Sequence, residues 1–129
     1  MKIRWLRITG IGPFAGTHRV DFSAFEDSGL FLLDGPTGSG KSTLIDAITF
    51  ALYGDVARTK DASKDRLRSN HIGDEDPSEA DLVFEVGSGI YRVSRTPAYT
   101  PIGKKSQRNS RASLTRVVED PSAPDGWRT

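Results

Sequence analysis

An α/β fold in which a buried strand passes through a glycine-rich loop into a helix is predicted for this chain from three observations. The first is the segment Gly35-Pro36-Thr37-Gly38-Ser39-Gly40-Lys41-Ser42-Thr43, a full match to the pattern G-x-x-x-x-G-K-[ST]. The second is the apolar run Leu30-Phe31-Leu32-Leu33 just upstream, suited to a strand covered on both faces. The third is the stretch Ser42 to Leu52 downstream, which reads as a helix with its apolar positions at Leu44, Ile45, Ile48 and Leu52. Strand, loop and helix stand in the order a phosphate-binding loop requires.

The other elements are read in chain order. Lys2 to Thr9 is a first strand with apolar residues on both faces, ended by Gly10-Ile11-Gly12-Pro13. His18 to Phe22 alternates, with Val20 and Phe22 on one face, and is expected to pair antiparallel to the first strand. Gly54 follows Tyr53 as the left-handed stop of the helix. Asp55 to Pro77 is dense in charge and reads as a surface loop, with at most a short helix around Ala62 to Leu67. Alternation returns at Ala80 to Val86, where Leu82, Phe84 and Val86 share a face, and at Ile90 to Ser94, where Tyr91 and Val93 do. Gly87-Ser88-Gly89 joins the two as a hairpin. Pro97 to Ser110 reads as an extended loop, Ala112 to Val118 as a returning strand, and Asp125-Gly126 as a hairpin turn with Trp127 beginning a further strand.

The residue types of the loop have a local reason. Gly35, Gly38 and Gly40 open backbone conformations closed to residues with a Cβ, so successive N–H groups can turn inward around a phosphate. The helix that follows adds its unpaired first N–H groups and the positive end of its dipole. Lys41 is expected to reach the β- and γ-phosphates as a mobile charge and is the candidate catalytic residue. The Ser42 hydroxyl is expected to complete the coordination of Mg²⁺, and Thr43 to donate to the α-phosphate. Pro36, Thr37 and Ser39 complete the cradle by position, and ATP with Mg²⁺ is the expected ligand.

Composition limits the other classes. With 129 residues the chain has the length of one small domain, and its net charge of +1 gives no global attraction to nucleic acid. The absence of cysteine excludes disulfides and thiolate metal sites and suits a reducing cytoplasm, the expected location. No uninterrupted apolar run exceeds four residues, Leu30 to Leu33 being one, so no membrane partner is expected. Seven basic residues lie between Ile90 and Val118 with no acid among them: Arg92, Arg95, Lys104, Lys105, Arg108, Arg111 and Arg116. Lys104, Lys105, Arg108 and Arg111 are candidates for tracking the phosphates of duplex DNA, the alternative being a solubilising loop. Asp74, Glu75, Asp76 and Glu79 lack metal-ligand spacing and read as a solvated loop. His18 and His71 are isolated, and Asp46 reads as structural.

Several of these segments together carry a family resemblance. Phe14 before an Asp21-Phe22 strand end, Gly29-Leu30-Phe31, the loop 35–43, Leu44-Ile45-Asp46-Ala47-Ile48 and Ala51-Leu52-Tyr53-Gly54 are similar to the N-terminus of the SbcC subunits of bacterial SbcCD nucleases, which are SMC-like ATPases. Phe84-Glu85-Val86 and Tyr91-Arg92-Val93-Ser94-Arg95 resemble the antiparallel subsheet of that family's first lobe. The resemblance implies a P-loop NTPase of the ABC-type head class, with a mixed sheet and an antiparallel side sheet at about 80–118. Residues 1–129 would then be the N-terminal part of the head, before its coiled coil. The family's Q-loop, signature motif, Walker B carboxylates and switch histidine are not found in these residues. It further implies a homodimer of heads around two ATP molecules, an SbcD nuclease partner, and DNA-end processing in double-strand break repair and recombination. Ala15 stands where some relatives carry an arginine near the nucleotide, and Arg58 resembles a basic residue common after their Ala-Leu-Tyr segment. Two other readings stay open. A secretion or pilus motor ATPase carries the same loop but places a large domain before it, where here 34 residues precede Gly35. A non-catalytic nucleotide- or DNA-binding module is the reading from a different class.

Overall fold

The computed structural model describes residues 1–12, 14–22, 41–54, 73, 76–97 and 110–129. Its centre is a six-stranded sheet in the order β2-β1-β3-β4-β5-β6, made of β1 (Lys2–Ile11), β2 (Phe14–Asp21), β3 (Glu79–Val86), β4 (Gly89–Thr96), β5 (Arg111–Glu119) and β6 (Trp127–Arg128). One helix, α1 (Lys41–Tyr53), lies on the sheet against β1, β3 and β4. Among the described residues every pairing is antiparallel. The strand expected at 30–33, which would add to a mixed sheet, lies outside them, as do the expected short helix at 62–67 and most of the loop at 97–110.

The strands run longer than alternation alone indicates. β2 begins at Phe14 rather than His18, because pairing with β1 continues through Thr9↔Thr17 to Ile11↔Phe14 where no apolar alternation marks it. Its register shifts there, and Gly10 and Gly12 take φ of 58° and 56° at the reversal, conformations that glycine adopts at little cost. The Ser78 hydroxyl donates to the Gly10 carbonyl at 2.9 Å and ties the entry to β3 to the same corner.

Alternation sorts the side chains onto two faces. Leu6, Ile8, Leu82 and Val93 point to the helix and form one cluster with Ile11, Phe22, Ala47, Phe50, Ala51 and Ala80. The helix stripe is rotated from the predicted one: Ala47, Phe50 and Ala51 are fully covered, Leu44, Ile48 and Leu52 partly, and Ile45 is exposed. The two alanines bring the helix backbone close to the strands, which lets Phe50 reach the sheet.

On the opposite face a smaller cluster joins Trp5, Val83 and Val117, with Ile90 and Trp127 packed against it. Trp5 reaches this side because β1 carries one extra residue, Arg4, between the pairs Ile3↔Phe84 and Trp5↔Val83. The bulge sends Arg4 and Trp5 the same way. The Arg4 guanidinium then lies over the Trp127 ring at 5.5 Å and binds Glu85 and Glu119.

Candidate functional site

The loop residues Gly35, Pro36, Thr37, Gly38, Ser39 and Gly40 lie outside the described residues. What the structure does place is the helix that follows them. Lys41, Ser42 and Thr43 are its first three residues, so their backbone stands where the first N–H groups of a helix lack an internal acceptor. No acidic residue occupies the first turn, so no side-chain charge of the helix itself offsets the positive end of its dipole. An anion at this end meets attraction, and in that respect the helix fits the triphosphate expected from the sequence.

The other end of α1 is closed by two devices. The Gly54 amide donates to the Phe50 carbonyl at 2.8 Å, with Gly54 at φ 77°, so the stop read from the sequence is present. No basic residue sits in the last turn. The cation comes instead from β4: Arg95 donates through Nε to the Ala51 carbonyl at 3.2 Å. Its Nη1 is 3.1 Å from the point a Cβ on residue 54 would occupy. Asp46 is buried on the helix, in keeping with a structural role.

The basic stretch divides when placed on the sheet. Arg92 faces the Trp5 side and donates to both oxygens of Asp81, at 2.9 and 2.5 Å, and to Asp125 at 2.7 Å. Hydrogen bonding to Asp81 holds its guanidinium proton above the usual arginine range, against the opposing effect of burial. Arg116 donates to the Ser88 carbonyl at 2.9 Å and lies against Gly89. Three of the seven, Arg92, Arg95 and Arg116, are therefore engaged within the sheet and helix. Arg111 is exposed at the start of β5, while Lys104, Lys105 and Arg108 lie outside the described residues, as does Arg58.

Asp81, 1% exposed, is the centre of a polar arrangement among the described residues. It accepts from Arg7 at 2.7 Å, from Arg92 and from Ser94 at 3.1 Å. The Arg7 and Arg92 guanidiniums also lie 5.5 and 5.4 Å from the centre of the Trp5 ring. Burial, then the charge of Asp81, raises the carboxyl of half-buried Glu79 on the same strand, against the pull of Arg7 and Arg92. Burial also works to raise Asp125, but hydrogen bonds from Arg92 and from the Trp127 amide outweigh it and hold that carboxyl below its ordinary range. Asp81, Asp125, Arg7 and Arg92 are each matched by a partner, which is the character of a structural network. Among the described residues no group of His, Cys, Asp and Glu has the makings of a metal site, and no helix is long and apolar enough to cross a membrane.

A family profile described as an AAA domain matches residues 6–122. The chain belongs to this AAA domain family. Among curated proteins it is similar to the SbcC subunit of the SbcCD nuclease of Treponema pallidum (strain Nichols), 44% identical over 108 residues, covering 84% of this chain and 10% of that protein. The SbcC subunit of the SbcCD nuclease of Staphylococcus aureus (strain MRSA252) is 33% identical over 119 residues, covering 92% of this chain and 12% of that protein. The chain thus spans about a tenth of the length of the curated relatives it matches. The resemblance to SbcC subunits read from residues 14–54 and 84–95 is borne out, and the fold is that of an AAA-type ATPase domain.

Sequence reading overlooks the placement of Arg95. The signal is present in parity: Arg95 is two residues beyond Val93 and so shares its helix-facing side, whereas Arg92 does not.

Proposed function

We propose that this AAA domain binds Mg-ATP through Gly35 to Thr43, with Lys41 on the β- and γ-phosphates and Ser42 on the metal. It is the P-loop of an ABC-type head whose hydrolysis needs a second copy of the head. The observation that carries the reading is a complete G-x-x-x-x-G-K-[ST] match running directly into a helix that starts at Lys41 and has no acid in its first turn. The loop amides cradle the phosphates, Lys41 offsets developing charge, and bound Mg²⁺ would supply electrostatic stabilisation to phosphoryl transfer.

In the complete protein this ATPase works with an SbcD-type nuclease on DNA ends, in double-strand break repair and recombination in the cytoplasm. The support is similarity to proteins named as the SbcC subunit of the SbcCD nuclease. Lys104, Lys105, Arg108 and Arg111 are the residues proposed to meet the DNA backbone, since Arg92, Arg95 and Arg116 already serve other partners.

Titration with a fluorescent ATP analogue in the presence of Mg²⁺ tests the central step. The parent chain is expected to bind, and Lys41→Ala to weaken binding by about tenfold or more, since a charge-assisted contact to phosphate is lost. Equal affinity of parent and variant would overturn the assignment.

A further inference from the structure

We infer that Arg95 is a positioning residue for the nucleotide site: reaching from β4, it fixes the far end of α1 and thereby aims the phosphate-binding end. The inference rests on the proposed binding of Mg-ATP at Gly35 to Thr43.

Three observations converge on this side chain. Arg95 Nε donates to the Ala51 carbonyl at 3.2 Å, within the last turn of a helix that carries no basic residue of its own there. Its guanidinium occupies the space beside Gly54, whose φ of 77° and missing Cβ both permit the approach. The residue also sits on the helix-facing side of a strand paired on both edges, Ala80↔Arg95 and Arg95↔Ala112, so its base does not shift easily. A cation hydrogen-bonded to a C-terminal carbonyl satisfies an acceptor and complements the dipole at once.

The geometry converts this local contact into control at a distance. A helix of 13 residues is about 20 Å long. A tilt of about 5° about the core contact at Phe50 moves the Lys41 end by more than about 1 Å, and displacements of that size in a preorganised site cost up to about a hundredfold in activity. Phe50, Ala47 and Ala51 hold the helix against the sheet through apolar contacts, which are not directional. The Arg95 hydrogen bond is directional, and it supplies the angular restraint at the end opposite the phosphates.

The test compares Arg95→Met, Arg95→Lys and Lys41→Ala with the parent in the complete protein, titrating Mg-ATP and reading affinity and stoichiometry separately. A side chain that only supports folding changes the fraction of molecules able to bind, whereas a positioning residue changes the affinity of molecules that do bind. Arg95→Met is expected to weaken Mg-ATP about five- to tenfold at parental stoichiometry. Arg95→Lys, which keeps a cation near the helix end without the planar donor, is expected to lose about two- to threefold. Should Arg95→Met fail to fold, Arg95→Lys decides. Parental affinity in the folded Arg95 variants, with Lys41→Ala still impaired, overturns the inference and leaves the ATP site standing. Failure of the parent itself to bind Mg-ATP overturns both.

Discussion

Asp81 shows how one buried carboxylate organises a face of the sheet. It stands on β3 opposite Arg7 of β1 and beside Arg92 of β4, and the centre of the Trp5 ring is 5.5 and 5.4 Å from the two guanidiniums. Replacing it by Asn keeps the shape but removes the counter-charge that Arg7 and Arg92 share, leaving Arg92 with Asp125 alone. Breaking a buried pair in this way typically costs about 3–5 kcal/mol, and the partial exposure of both arginines places the expectation near the lower end, about 3 kcal/mol, by urea denaturation. Glu79 gives the opposite prediction. Its folded carboxyl is raised above the ordinary range, so the native state holds its proton more tightly than the unfolded chain does. This linkage favours folding below the unfolded value, about 4, and is lost as pH rises through the higher folded value. Glu79→Gln is therefore expected to raise the melting temperature at pH 7 and to change it little at pH 4. A loss of stability at neutral pH would show that its attraction to Arg7 and Arg92 outweighs the burial. Neither role is legible in the sequence, because pairing partners lie far apart in the chain and the acids near residue 76 read as solvated loop.

At the scale of elements, period-two alternation locates β3 and β4 to within a residue or two, since both place side chains in the core clusters, whereas β5 is exposed apart from Val117. The start of β2 escapes it because residues 14–17 pair through backbone groups without an apolar pattern. Sequence places the helix correctly but not its buried stripe. Residue hydrophobicity favours Ile45, while the close approach needs Ala47 and Ala51, whose value is their small size. The C-terminal stop at Gly54 is readable from residue type, though not its second requirement, the nearby Arg95 side chain. Gly54→Ala must adopt φ near 77° and push against that guanidinium. It is expected to destabilise by about 1–2 kcal/mol, with earlier loss of helical circular dichroism on heating. An unchanged melt would mean the helix end relaxes freely. Trp127 does begin a strand, as its position after a turn signal implies, and β6 pairs with β5 through Glu119↔Trp127. The turn is longer than Asp125-Gly126, since Asp120 anchors the whole reversal through Ser122 and Arg128.

For the molecule as a whole, one cluster joins the helix to the middle of the sheet, and Phe50 is its largest fully buried side chain. Phe50→Ala leaves a cavity between α1 and β1, β3 and β4, with an expected loss of about 3–5 kcal/mol in denaturant unfolding. Retention of parental stability would mean the helix is not held by this contact. The proposed site is read from nine adjacent residues, whereas the floor beneath the helix that follows them is assembled from strands before and after it. The basic stretch is less legible: once strands alternate, Arg92, Arg95 and Arg116 prove to be engaged internally, while Lys104, Lys105 and Arg108 lie outside the described residues.

The strand order β2-β1-β3-β4 places α1 on top of β1, β3 and β4 in space, although in sequence it lies between β1 and β3. During synthesis the helix emerges before residues 79–96, which form much of the surface it rests on, have been made. Its apolar stripe has no finished surface to cover it until then, so ribosome pausing after Tyr53 would prolong an aggregation-prone interval. Chaperone engagement during translation is therefore expected to peak between completion of the helix and release of β4.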